Sequence, residues 1–168
     1  MTTFTEGNLQ LTIADAVQTR KFDDSATHGL THCMKAVDFI VDLADRYLFI
    51  EFKDPQNPRA HARESIRFVA DFLSGSIDTE LMYKYRDSFL YEWAYGRAVK
   101  PVHYLVLVAI DTLTEADLLT RTEDLKRKLP IQGPGQQWIR PLVAGCAVFN
   151  IATWNRHLPD YPVARSGP

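Results

Sequence analysis

The sequence predicts an α/β sandwich built on a mixed β-sheet, and three observations predict it. Lys35 to Pro55 holds two apolar segments of period two separated by a short polar loop, the pattern of a hairpin of buried strands. Residues 59–73 and 76–95 repeat their apolar positions at helical spacing. Val102 to Ile110 is an apolar run rich in β-branched residues after a proline, as in a buried strand beside the hairpin, and Leu142 to Ile151 reads as the final strand. The order hairpin, two helices, strand, helix, strand then sets helices against a mixed sheet.

A length of 168 residues supports a single domain over 1–168 with a sizeable core. Apolar residues at 46% and charged residues at 24% exclude disordered and fibrous classes. No apolar run approaches the ~20 residues of a membrane span. The start, Met-Thr-Thr-Phe-Thr-Glu-Gly, has no basic segment followed by an apolar one, so a cytoplasmic protein is expected. Cys33 and Cys146 lie far apart without framework spacing and read as reduced thiols, Cys146 within a buried strand. A net charge of −2 argues against coating nucleic acid by bulk electrostatics, while leaving room for a local basic groove.

Residues 1–34 form an N-terminal arm whose pattern specifies no single structure. Leu9, Leu11 and Ile13 alternate like a strand, and Ile13 to Lys21 fits a short helix or an extended segment ending at Phe22-Asp23-Asp24. His28-Gly-Leu-Thr-His32-Cys33 has zinc-binding residue types but no fourth ligand at a recognised spacing, and reads as a loop leading into the first hairpin strand.

In that strand Val37, Phe39 and Val41 share one face, and Asp38, Ile40 and Asp42 the other. In the second, Leu48, Ile50 and Phe52 stand opposite Tyr47, Phe49, Glu51 and Lys53. With Leu43-Ala44-Asp45-Arg46 as the loop, Asp42 faces Tyr47, Ile40 faces Phe49 and Asp38 faces Glu51. Two carboxylates therefore stand side by side on a hydrophobic hairpin, where like charges destabilise the pair. Lys53, on the same face, offsets part of the repulsion. A hard divalent cation held by both carboxylates offsets more, and such oxygen ligands suit Mg²⁺ or Mn²⁺. A surface salt-bridge cluster is the alternative.

At these residues the chain resembles the PD-(D/E)XK nuclease superfamily: Asp38, then Glu51-Phe52-Lys53 as the E-x-K element at the end of a hydrophobic strand. Val37 stands where the motif's name expects Pro. The resemblance implies a restriction-endonuclease-like fold, a mixed sheet with a central hairpin carrying D…ExK, flanked by helices. It also implies Asp38 and Glu51 as metal ligands, the backbone carbonyl of Phe52 as a third, and Lys53 assisting the attacking water. The superfamily usually opens with a helix that carries another acidic residue in some members, for which Glu6 and Asp15 are the candidates here.

Asp54-Pro55-Gln56-Asn57-Pro58 stops the strand. In the helix expected from Arg59 to Leu73, Ala62, Ile66, Val69, Phe72 and Leu73 form the apolar arc, and Arg59, Arg63 and Arg67 form a flanking ridge. Guanidinium groups match phosphate oxygens bidentately, so this ridge is either a phosphate-binding surface or a solvated face. The next helix runs to about Tyr95, capped by Ser76 or Asp78, with Met82, Phe89, Leu90 and Trp93 inward. Lys84 lies roughly 200° from Arg86 at 100° per residue. Lys84 is assigned to phosphate with the arginines. Arg86 is expected to be structural or to support the site residues from behind, buried with a carboxylate partner.

Thr114 caps the following helix, whose end Lys126-Arg127-Lys128 suits the helix dipole and which Pro130 closes. Gly133-Pro134-Gly135 lacks phosphate-loop spacing. Residues 152–168 are an aromatic, proline-bearing tail suited to covering a sheet edge. The expected function is hydrolysis of phosphodiester bonds by a Mg²⁺- or Mn²⁺-dependent nuclease, on DNA before RNA, with a homodimer or partner protein supplying specificity. The competing class is a non-catalytic nucleic-acid or protein interaction module that keeps the nuclease-like fold.

Overall fold

The computed structural model describes residues 1–58, 61–134 and 138–166. In chain order they form β1 (Thr2–Glu6), β2 (Leu9–Ile13), β3 (Gln18–Lys21), α1 (Ser25–His28), β4 (Phe39–Asp42) and β5 (Tyr47–Lys53). There follow α2 (Ala62–Ser74), α3 (Asp78–Ala94), β6 (Val102–Val108), α4 (Glu115–Lys128), β7 (Gly145–Phe149), α5 (Ile151–His157) and β8 (Val163–Arg165). The described residues are thus a mixed α/β protein with two sheets and five helices.

The hairpin forms in the expected register, with Asp42 opposite Tyr47, Ile40 opposite Phe49 and Phe39 opposite Ile50. Added strands make a five-stranded sheet in the order β3-β4-β5-β6-β7, antiparallel from β3 to β5 and parallel from β5 to β7. The central strand β5 is buried on both faces. Tyr47 and Phe49 face a core closed by α3, α4 and part of α2, whereas Leu48, Ile50 and Phe52 face a second core containing Leu9, Leu11, Trp154 and Val163.

That second core is covered by a three-stranded sheet, β1-β2-β8, which gives the N-terminal arm and the C-terminal tail their structure. Where the resemblance implies an opening helix, residues 2–21 contain three strands and α1 has only four residues. The tail packs rather than trailing: Trp154 is fully buried and its indole N–H donates to the Tyr161 carbonyl at 2.7 Å. The final strand, β7 at the edge of this sheet, is shorter than 142–151 at both ends; at its C-terminal end Asn150 exchanges capping hydrogen bonds with Thr153 and starts α5. Thr114 caps α4 as expected, reciprocally with Asp117.

Three facing expectations fail, each for a physical reason. Val37 belongs to the α3 side rather than to the face of Phe39 and Val41; it precedes the β4 pleat, and its N–H donates to Ser88 Oγ on α3. In α2, Ile66 and Leu73 are exposed, and only Phe72 is fully buried, with Phe68 and Val69 half-buried beside it. The helix touches the core along a narrower stripe than its apolar composition allows. In α3 the buried residues are Asp78, Leu81, Tyr85, Ser88 and Glu92, not Leu90 and Trp93, which are exposed. Each buried polar group there has a partner: Asp78 with Arg121, Ser88 with the Val37 N–H, Tyr85 with the Leu142 carbonyl, Glu92 with Arg20 and Arg97. Partners make such residues tolerable inside, so hydrophobicity alone misplaces the face.

Neither expected cap of α3 acts as one. Ile77 occupies the N-cap without a side-chain bond, Ser76 donates to the Asp71 carbonyl, and the Asp78 carboxylate is committed to Arg121. Arg86 is exposed, lying over the Tyr83 ring rather than against a carboxylate, because the buried stripe passes through Tyr85 and Ser88 instead.

Candidate active site

Glu51 sits at the C-terminal end of β5, where β4 has not yet begun and the partner strand has given way to the loop before Phe39. Its odd-numbered position turns it to the α3 side with Tyr47 and Phe49. There it is wholly buried. Lys84 Nζ stands 2.6 Å and Lys53 Nζ 3.0 Å from its Oε1. Both ammonium groups crowd Oε1, and Oε2 has no donor among the described residues. Burial above all, then the charge of Asp38, pushes the Glu51 carboxyl up to about 7.

Asp38, also buried, is oriented by the backbone: its Oδ2 accepts the Phe52 N–H at 2.6 Å, and Oδ1 lies 3.5 Å from Lys84 Nζ. Burial raises its carboxyl above the usual range, against the pull of Lys84 and of the Phe52 N–H. The Phe52 peptide thus faces Asp38. Peptide groups alternate along a strand, so the Phe52 carbonyl is directed to the same edge, beyond the end of β4.

Lys53 Nζ bridges Glu51 and Glu80, the latter at 3.3 Å. Burial pulls its ammonium down, but the carboxylates of Glu51 and Glu80 outweigh it and hold it up at about 12. A recess of about 240 Å³ opens beside Lys53, lined by Asp54, Pro55, Glu64, Ser65 and Phe68. Larger grooves lie between α4, β7 and α5 and around Trp93 and Trp138; they share no residue with this cluster.

The structure therefore brings Asp38, Glu51, Lys53 and Lys84 together and leaves the arginine ridge outside. Arg63 is exposed, Arg67 is exposed and 3.5 Å from Asp71, and it is Glu64, Ser65 and Phe68 of α2 that face Lys53. Arg59 lies outside the described residues. Asp23, which the sequence did not single out as a site residue, stands in the electrostatic reach of Asp38 with a buried Oδ1 that has no partner among the described residues. Burial first, and Asp38 next, push its carboxyl to about 6. Its only sequence signal is the Asp-Asp pair after a strand-like stretch. Of the other acidic candidates, Glu6 pairs with Lys21 while its charge still reaches Asp38 and Asp23, and Asp15 accepts from the Tyr161 hydroxyl away from the cluster. His28 is buried between Phe22 and Tyr91, and its Nδ1 accepts the Leu30 N–H.

Among the described residues no group of three or more His, Cys, Asp and Glu side chains is arranged around a metal position. What fits a hard divalent cation is smaller: two carboxylates and a carbonyl directed to one edge, one buried carboxylate oxygen being without a donor. Such an all-oxygen set suits Mg²⁺ or Mn²⁺ completed by water or substrate oxygens, and does not suit zinc. No helix among the described residues is long and apolar enough to cross a membrane. Comparison with protein-family models, curated proteins and solved structures gives no match.

Proposed function

We propose that the chain is a metal-dependent nuclease of the PD-(D/E)XK type, with a restriction-endonuclease-like fold, that hydrolyses phosphodiester bonds in DNA in preference to RNA. One observation carries the reading: Glu51, wholly buried, keeps an oxygen without a donor beside Asp38 and Lys53. Leaving a buried carboxylate oxygen unpaired is costly, and a cation ligand accounts for it. The mixed sheet with a central hairpin bearing these residues, flanked by helices, supports the same reading.

In this proposal Asp38, Glu51 and the Phe52 carbonyl hold Mg²⁺ or Mn²⁺. When bound, such an ion polarises a phosphoryl oxygen and lowers the pKa of a water bound to it. The Phe52 N–H fixes the Asp38 carboxylate before any ligand arrives, so its reorganisation is already complete. Lys53, held as an ammonium between Glu51 and Glu80, serves as a cation and donor rather than as a base. It orients the attacking water and stabilises charge on the pentavalent phosphate. The recess beside Lys53 gives the phosphate a way in.

A second reading, a non-catalytic interaction module, is favoured by Lys84, whose contact with Glu51 supplies positive charge without a metal. Cleavage of single- and double-stranded DNA and RNA by wild type and Glu51→Gln, with Mg²⁺, Mn²⁺ and Ca²⁺, separates the two. Metal-dependent cleavage lost in Glu51→Gln is the expected result. Absence of any metal-dependent cleavage or metal-induced shift in Tm in wild type sinks the nuclease reading.

A further inference from the structure

Lys84 is the residue of this cluster that the nuclease reading does not absorb. It reaches the sheet from the middle of α3, its side chain only 16% exposed, and its Nζ lies 2.6 Å from Glu51 Oε1 and 3.5 Å from Asp38 Oδ1. It therefore bridges the same two carboxylates that the proposed function gives to the divalent ion. An ion coordinated by both would lie about 2 Å from each ligand oxygen, which puts it against this ammonium, and two cations in a poorly hydrated site repel strongly. The oxygen without a donor, Glu51 Oε2, remains open to an ion, but full bridging to Asp38 requires Lys84 to move.

Resting on the nuclease reading, we infer that Lys84 is a built-in competitor for the divalent cation, displaced when a phosphate-bearing strand enters and offers its ammonium another anion. Lys84 starts among carboxylates, with Glu80 one turn earlier on α3 and Asp23 within its electrostatic reach. A phosphodiester is the one anion that arrives with substrate, and a flexible lysine stem suits the exchange. Metal and nucleic acid then bind with positive coupling, and each tightens the other by the same factor. The free protein holds its metal weakly, and the full site assembles on the substrate.

Calorimetric titration of Mn²⁺ into wild type, Lys84→Met and Lys84→Arg without nucleic acid tests the competition. Titration of Ca²⁺ with and without a short DNA duplex tests the coupling. Lys84→Met should bind Mn²⁺ at least tenfold tighter than wild type, and Lys84→Arg, which keeps the charge, should not. The duplex should tighten Ca²⁺ binding severalfold in wild type and leave Lys84→Met unchanged. Should Lys84→Met fail to melt cooperatively, Lys84→Gln, which still offers Glu51 a donor, replaces it under the same criteria. Equal or weaker Mn²⁺ binding by the neutral variants, or an equal gain in Lys84→Arg, overturns the inference. Metal-dependent cleavage alongside unchanged affinities sinks the competition alone, whereas metal binding by no variant sinks both it and the nuclease reading.

Discussion

Glu51 and Glu92 are the same residue type, almost equally withdrawn from water, and the protein treats them in opposite ways. Glu92 on α3 receives two arginines in fork geometry. Arg20 donates to Oε1 and Oε2 at 2.9 and 2.6 Å, and Arg97 to the same two oxygens at 2.8 and 3.0 Å. Burial pushes its carboxyl up, but those hydrogen bonds outweigh it and hold it below the usual range. Glu51 has two lysines crowding one oxygen and nothing on the other, and its carboxyl rises. Burial is common to both, so donor geometry decides the charge state. A saturated buried carboxylate ties β3 to α3, while an unsaturated one keeps capacity for a ligand.

The largest effect should separate them in chemistry. Glu51→Gln should reduce metal-dependent cleavage by on the order of 10³-fold, read as kcat under saturating metal, while Glu92→Gln leaves per-molecule activity of the folded fraction nearly intact. Equal losses would dissolve the contrast. In stability the order reverses. Glu92→Gln strands two arginines with no other carboxylate partner among the described residues and should cost roughly 3 kcal/mol in denaturant unfolding. Glu51→Gln leaves Lys53 with Glu80 and Lys84 with Asp38, and should stay within about 1 kcal/mol of wild type.

The pH dependence sharpens the comparison further. Folded Glu51 keeps its proton up to about 7 whereas the unfolded chain releases it near 4.5, so across that window its contribution falls as pH rises. Glu92, depressed in the fold from 4.5, contributes stability above that value and loses it as pH falls through its folded pKa. Stability profiles of the two Gln variants should therefore lose opposite slopes, Glu51→Gln between about 4.5 and 7 and Glu92→Gln below 4.5. The smallest effect belongs to the exposed arginines. Replacing Arg63 and Arg67 with Ala should change stability by less than about 0.5 kcal/mol. If they contact phosphates, the salt dependence of nucleic-acid binding flattens by about one unit of slope per contact; an unchanged slope returns the ridge to solvent.

The β4–β5 register, the approach of Asp38 to Glu51, the existence of strand β6 and the Thr114 cap are legible because each rests on period or on residues a few positions apart, whereas the parallel pairing of β6 with β5 joins residues 55 positions apart. The contact of Lys84 with Asp38 and Glu51 is not legible from the helical period of α3. The α3 stripe that turns inward is marked by Asp78, Ser88 and Glu92, whose partners lie 43, 51 and 72 residues away for Arg121, Val37 and Arg20. No local pattern announces a polar residue made tolerable by so distant a partner. Asp23 and the second sheet were hidden for the same reason, since both acquire meaning only when remote strands meet.

The pairing of β2 with β8 joins the two ends of the described chain: Leu9 and Leu11 lie against Arg165 and Val163, and Arg165 bonds Asn8 across 157 positions. Closing a loop of that length costs more chain entropy than folding a hairpin, and contacts of such high order slow folding. The five-stranded sheet and its α3 side assemble from nearer segments and are expected to form first. Until the three-stranded sheet closes over it, the face of Phe39, Val41, Leu48, Ile50 and Phe52 lacks part of its apolar cover. The protein is therefore most prone to aggregate in this late interval, and pulse-labelled amides of β5 should gain protection before those of β2.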